Sequence, residues 1–414
     1  MSAEKALLDE EERSRMERLT SLLGLGVMLL LAWLMSENRR QMNARLIISG
    51  VLLQFGMAML LLWTAPGRAA FDAARLVVAQ VLDFSNAGAE FVFGMDFRQH
   101  FVAFSVLPTI IFVSSLTAML FHAGILQWLV RLMARVMVWV MDVSGAESLC
   151  ASANVFVGMT EAPLVIRPYL PTMTRSELMA MMTAGMATIA GGVMAAYVGM
   201  GADAGHLLAA SLMSAPAALV VAKIMVPELE SSPTKGVVRV DVPRKDANLL
   251  DAACRGAAEG LSLALNVAAM LIAFIALVAM LNWTLSLLPL VADEPLSLER
   301  ILGWVMAPLA WVMGVEWADA PAVGMLLGKK TILNEFLAYS DLIAMKDHLS
   351  PRSFTIATYA LCGFANFGSV AIMIGGIGAL VPDRRQDIAR YGFRALIGGT
   401  LAAFTTACIA GILV

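Results

Sequence analysis

Charge is scarce in this chain. Only 15% of its 414 residues are Asp, Glu, Lys or Arg, while 59% are hydrophobic. A soluble domain carries charge on about a quarter of its residues, so a soluble enzyme is excluded. The net charge of −3 leaves no basic surface for phosphates, which excludes nucleic acid as a partner. Cysteine is scarce too: Cys150, Cys254, Cys362 and Cys408 lie far apart, without the close pairing of zinc or redox motifs, and they rule out a disulfide-built secreted domain. They read as packing residues. His100, His122, His206 and His348 are equally scattered, so neither a metal cluster nor a nucleophile motif is in evidence, and no cofactor is expected.

What is present is long uncharged sequence. Ten charges crowd into residues 1–19 and ten more into 227–255. Elsewhere, uncharged and mostly apolar stretches run over 19–36, 46–67, 101–130, 178–202, 204–222, 260–292, 353–382 and 395–414. A bilayer core about 30 Å thick needs roughly 20 such residues in a helix. The expectation is an all-α polytopic membrane protein with about eight transmembrane helices, each satisfying its backbone polar groups within itself. The first apolar run ends in Ser36 and Glu37 rather than at a small-residue cleavage site, so it reads as a retained span. Residues 1–18 form a charged extension in which Glu4, Asp9 to Glu12 and Glu17 alternate with Lys5, Arg13, Arg15 and Arg18, the pattern of a solvated helix.

Two apolar regions are interrupted by charge. Residues 143–176 contain Glu147, Glu161, Arg167 and Arg175 with three prolines; residues 301–347 contain Glu316, Asp319, Lys329, Lys330, Glu335, Asp341, Lys346 and Asp347 with two. Charge at the bilayer centre costs several kcal/mol and proline breaks the helical ladder. Re-entrant hairpins fit both, because irregular backbone is tolerated at that depth when it is buried in protein or lines a cavity. The order of elements repeats: a run, a broken segment and two spans in 100–226, then the same in 256–414, joined by a polar linker at 227–255. Interrupted segments at matching places in two halves point to the midplane site of an inverted-repeat secondary transporter. Residues 19–67 supply the first two spans, of scaffold type. Within 68–99, Arg68, Asp72, Arg75 and Asp83 among Phe71, Leu76, Val77 and Leu82 suggest an interfacial helix. Arg39, Arg40 and Arg45, with Arg384, Arg385 and Arg390, mark cytoplasmic loops, so both termini are expected outside.

The chemistry-bearing residues lie at the interruptions. Glu161 in the run NVFVGMTEAP (154–163) needs a partner, either a substrate donor or Arg167. Glu335 and Asn366 are acceptor-rich groups suited to paired hydroxyls, with Phe364 offering a stacking face. Other classes stay open on residue types alone: a membrane-embedded enzyme using Glu161 and Glu335 as acid and base, or an uncoupled channel.

Across residues 20–414 the chain resembles the concentrative nucleoside transporter family. The resemblance rests on NVFVGMTEAP with Arg167 and Pro168, on IAGGV (189–193), LALN (263–266), NEFLAY (334–339) and GFAN (363–366), in that order. It implies a homotrimer in the bacterial inner membrane, eight spans with two hairpins and an interfacial helix, and elevator-type uptake of nucleosides such as uridine or adenosine. By position it places the base against Met159, Thr160 and Glu161, with Val193 and Leu263 as apolar walls, and the ribose against Glu335, Asn366 and Ser369 beside Phe364. Sodium, the implied coupling ion, falls on Asn154, the backbone of Val157, Thr188 and the backbone of Ile189. Two residues depart from the pattern: Met159 stands where glutamine is usual, and Thr188 replaces a serine while keeping its hydroxyl. The retained oxygens favour sodium; coupling to protons through Glu161 or Glu335 is the alternative.

Overall fold

The computed structural model describes residues 2–100, 102–236, 246–291 and 294–414, with side chains from residue 15 onward apart from those at 98–102. The side chains of the alternating charges at 4–13 and the linker residues 237–245 therefore lie outside what is described. The described chain is almost wholly helical. Helices α1 (Ser2–Leu34), α2 (Ala44–Trp63) and α3 (Ala65–Phe93) precede the first half: α4 (Leu107–His122), α5 (Ile125–Met141), α6 (Gly145–Asn154), α7 (Ala162–Val165), α8 (Arg175–Ala187), α9 (Gly191–Met200) and α10 (Ala204–Met225). The second half repeats that order with α11 (Leu249–Ser286), α12 (Leu298–Val312), α13 (Ala320–Ile332), α14 (Glu335–Ala344), α15 (Pro351–Leu361), α16 (Phe367–Leu380) and α17 (Arg385–Leu413).

Eight helical stretches among the described residues are long and apolar enough to cross a membrane. The number equals the expected eight, but the membership differs. Helix α3, expected to lie in the interface, is long and apolar enough to count among them, whereas 353–382 is not one span. It breaks at 362–366, as 178–202 breaks at 188–190. The apolar runs concealed both breaks because the residues there, Thr188 and Cys362, are themselves apolar or small and adopt extended backbone. Two further helices stand between span and hairpin. Helix α5 buries Leu126, Val130, Ala134, Met137 and Met141 along one stripe and exposes Trp128 and Trp139. Such spacing gives one apolar face to the protein. Its partner in the second half, α12, lies along α13: Gly324 and Gly328 of α13 abut the α12 backbone and Leu302.

The two halves run in opposite directions. At one end, the backbone N–H of Glu37 donates to Met225 O at 2.9 Å, Arg384 reaches Met173 O at 2.8 Å, and Arg394 reaches Met35 O at 2.9 Å. The α1–α2 loop, the end of α10 and the starts of α8 and α17 therefore share that end. At the other, Trp63 donates to Leu413 O at 3.1 Å and Arg352 to Gly411 O at 2.6 Å, which joins the ends of α2 and α17 to the start of α15. Thus α10 and α17 are antiparallel, and α8 and α15 approach the middle from opposite faces. The loop before α10 is tied to α3 by Arg75 and Asp203 at 2.7 Å. Burial pushes the Asp203 carboxyl up, but the N–H of His206 and the Arg75 guanidinium outweigh it and hold it below the usual carboxylate range.

A polar knot closes the base of the first hairpin. Ser144 and Glu147 cap α6 reciprocally, Thr174 and Glu177 do the same for α8, and each pair satisfies two free helix N–H groups. Lys223 of α10 bridges Glu147 at 2.8 Å and Glu228 at 3.1 Å, while Thr234 of the linker accepts the N–H of Gly145 through its carbonyl at 2.9 Å. Hairpin, α8 and α10 are thereby fastened at one point.

Candidate functional site

The two helix breaks touch at the centre. The N–H of Phe364 donates to Thr188 O at 3.2 Å. Gly363, at φ +147°, sits where a Cβ would lie 2.9 Å from the Ala187 carbonyl, so both the backbone angle and the close approach require glycine. Unwound backbone and free half-helix ends at midplane are what a transporter uses to hold polar substrates and ions.

On one side of this joint stands Glu335, the first residue of α14 at the tip of the second hairpin and 6% exposed. Its Oε1 accepts from the hydroxyl of Tyr197 on α9 at 2.9 Å, and its Oε2 accepts from Asn366 Nδ2 at 3.0 Å. Asn366 in turn caps α16, its Oδ1 accepting from the N–H of Ser369 at 2.8 Å. Tyr197 is stacked on Tyr339, ring centroids 4.4 Å apart, and Tyr339 donates to Thr358 O at 2.7 Å. The carboxylate is thus fixed by two donors from different helices, and its remaining lone pairs are free for hydroxyl donors. Phe364 lies half-buried beside it.

On the other side is the tip of the first hairpin. The N–H of Gly191 donates to Phe156 O at 3.1 Å, which seats the tip on the start of α9. Asn154 ends α6, is 1% exposed, and donates Nδ2 to Cys150 O at 3.0 Å. Its Oδ1 is buried with no hydrogen-bond partner. A buried carbonyl oxygen left unpaired is costly, so an orphan of this kind calls for an ion or water. Thr188, 1% exposed, donates its hydroxyl to Ala184 O at 2.9 Å and keeps its lone pairs. Neutral oxygens of this sort suit a hard cation. Among the described residues no cluster of three His, Cys, Asp or Glu could hold a transition metal.

The remaining expected residues lie on the first hairpin, α9 and α11. Met159, 8% exposed, is pressed against Gly185 of α8, and Thr160 against Gly376 of α16. Glu161 is exposed at the tip and accepts from the N–H of Gly158 through Oε2 at 3.2 Å. Val193 is buried in α9, and Leu263 is half-buried on α11. Tyr197, Tyr339 and Lys330 were not foreseen. Tyr197 sits in a small-residue run with no motif of its own, and only its polar hydroxyl within that run hinted at a role.

These features define a polytopic helical carrier built from two inverted halves. Its solved structural neighbours agree: the structure of CNTnw in an inward-facing substrate-bound state superposes with a TM-score of 0.90 at 40% identity, covering 96% of this chain and 98% of that one. A CNTnw variant in an outward-facing state gives 0.88 at 39% identity, over 95% and 97%. These are the elevator-type architecture in two states. The family descriptions that match are Na+ dependent nucleoside transporter N-terminus (23–96), nucleoside recognition gate (103–204) and Na+ dependent nucleoside transporter C-terminus (206–411). The chain belongs to the Na+ dependent, or concentrative, nucleoside transporter family, whose members are transporters and not enzymes. The uncharacterized transporter YutK of Bacillus subtilis is 42% identical, covering 96% of this chain and all of that protein. Human solute carrier family 28 member 3 is 44% identical over 96% of this chain, which spans 60% of that longer relative.

Proposed function

We propose that the protein imports nucleosides by symport with sodium, carrying them on a hairpin-bearing unit that moves as an elevator within a homotrimer of the bacterial inner membrane. The observation that carries this reading is the joint itself: a doubly held Glu335 bonded to Asn366 on one side, and on the other the orphaned Oδ1 of Asn154 at the end of α6, which packs on α8 and Thr188 at its end. The carboxylate and amide suit the two ribose hydroxyls; the neutral oxygens, completed by the carbonyls of Val157 and Ile189, suit a sodium ion. Because the Phe364 N–H donates to Thr188 O, the two helix breaks are joined by a backbone hydrogen bond, a direct route for coupling between the ion site and the sugar site. Met159, Thr160 and Glu161, with Val193 and Leu263, then face the base, and Ser369 completes the sugar pocket.

The test is uptake of labelled uridine and adenosine into proteoliposomes under an imposed sodium gradient or an imposed pH gradient. Sodium-driven accumulation supports the reading. Accumulation that follows only the pH gradient transfers coupling to protons, and flux without accumulation makes the protein a channel.

A further inference from the structure

The inverted halves contain equivalent joints with different contents. In the first, α6 packs on α8 and their ends carry neutral oxygens, the orphaned Asn154 Oδ1 and the Thr188 hydroxyl. In the second, the equivalent elements are the end of α13 and the end of α15. The residue that ends α15 there is Cys362, at the place Thr188 holds after α8. A thiol is a poor ligand for a small hard cation.

The second joint is filled by Lys330. Its side chain is 1% exposed, it sits in the last turn of α13, and its Nζ donates to Ala360 O in the last turn of α15 at 3.0 Å. The neighbouring Lys329, only partly exposed, is paired in the ordinary way, with Asp341 at 2.7 Å and Glu299 at 3.6 Å. Lys330 has no carboxylate within 4.0 Å among the described residues, although it acts on Glu335 electrostatically. A buried ammonium without a paired carboxylate is costly. Its compensation is the partial negative charge at the C-terminal ends of two helices, α13 and α15, where it lies.

We propose that Lys330 is a tethered cation: its ammonium takes, in the second half, the position that a free coupling ion takes in the first, closing the second hairpin on α15 and setting Glu335 for the substrate. This rests on the sodium-symport reading above. Lys330 is a positioning residue, acting on the substrate through Glu335. One free cation per cycle then suffices, because the second joint carries its own.

The experiment is calorimetric binding of uridine to the purified full-length protein across a sodium titration, with melting temperature recorded in the same buffers. The wild type is expected to show a sodium order near one. Lys330→Ala should bind uridine at least tenfold more weakly, with the sodium order still near one because Cys362 leaves the emptied joint a poor sodium site, and added ethylammonium should restore affinity severalfold by refilling the vacated space. Lys330→Met, which fills the volume without charge, should lose affinity without rescue by ethylammonium, and it carries the test if Lys330→Ala does not fold. Uridine affinity within twofold of wild type in both variants overturns the proposal. So does weakened binding in Lys330→Ala that ethylammonium does not restore while the first joint still responds to sodium. Ethylammonium should raise the melting temperature of Lys330→Ala and not of the wild type. That readout needs no nucleoside, so a wild type that binds no uridine defeats the functional reading while Lys330 is still judged.

Discussion

The hydroxyl of Tyr197 and the carboxylate of Glu335 meet at 2.9 Å across the two inverted halves, 138 residues apart in sequence. The bond ties α9, which continues the broken α8, to the tip of the second hairpin. Its energetic consequence is orientational, because Glu335 would otherwise be free to turn away from Asn366.

Removing the phenolic hydroxyl removes one donor and leaves the ring stacked on Tyr339. One net hydrogen bond is worth about 0.5–1.5 kcal/mol, and one to a charged group about 1.5–3. Tyr197→Phe is therefore expected to weaken uridine binding roughly threefold to tenfold. Glu335→Gln and Asn366→Ala, which also strand desolvated sugar hydroxyls, should cost about tenfold or more. Calorimetry on the three purified variants checks the order, and wild-type affinity in Glu335→Gln and Asn366→Ala would remove the ribose from this site.

Asn154 Oδ1 and the Thr188 hydroxyl supply the sodium prediction. An ion can drive transport only by binding differently to the states it connects, and the linkage is reciprocal. Sodium should raise nucleoside affinity, and nucleoside should raise sodium affinity by the same factor. Asn154→Ala and Thr188→Val should each flatten both dependences. Equal uridine affinity in sodium and in choline for the wild type contradicts the assignment.

Much of this was legible in the sequence, and the reasons divide cleanly by residue. The hairpins announced themselves because Glu161 and Glu335 are charges that an apolar span cannot carry, with prolines nearby. The breaks at Thr188 and Cys362 did not, because hydropathy reads composition and both residues are compatible with a helix; only the backbone reveals the extended conformation. Helix α5 was hidden for a similar reason: Ile125 to Val130 prolong the uncharged run of α4, and only the glycine at φ +84°, Gly124, separates them. The proposed site residues are expected from the motifs, while Tyr197 meets Glu335 and Lys330 meets Ala360 only through tertiary pairing, which no local pattern encodes.

The polar knot under the first hairpin makes a stability prediction. Lys223 is 6% exposed and Glu147 1% exposed, bridged at 2.8 Å. Breaking a buried pair by removing one partner typically costs about 3–5 kcal/mol, since the other charge is left uncompensated. Lys223→Met is expected to lower the melting temperature in detergent by roughly 5–10 °C, at a few degrees per kcal/mol for a chain of this size. The double variant Lys223→Met/Glu147→Gln should recover part of that loss, because the amide oxygen can still cap α6. A single variant as stable as wild type would show that the bridge contributes nothing.

Met159 is the departure from the family pattern that changes the side chain's hydrogen-bonding chemistry, since Thr188 keeps its hydroxyl. Its Cβ lies against Gly185, where an added methyl group would sit 2.9 Å away, so the backbone at 159 is seated firmly on α8. Glutamine is close to methionine in length and volume, and it can follow the same path from that Cβ. A thioether offers a polarizable surface for a ring but lacks the donors and the strong acceptor of an amide. In the site proposed above, methionine leaves the base to Thr160, Glu161 and apolar contact, which discriminate weakly between pyrimidine and purine. Met159→Gln restores a directional partner whose net worth is about 0.5–1.5 kcal/mol. The uridine-to-adenosine affinity ratio is expected to shift by roughly threefold to tenfold, measured by competition uptake with both nucleosides. A ratio that stays constant in a folded variant with normal sodium dependence would place residue 159 away from the base and leave selectivity to Thr160 and Glu161.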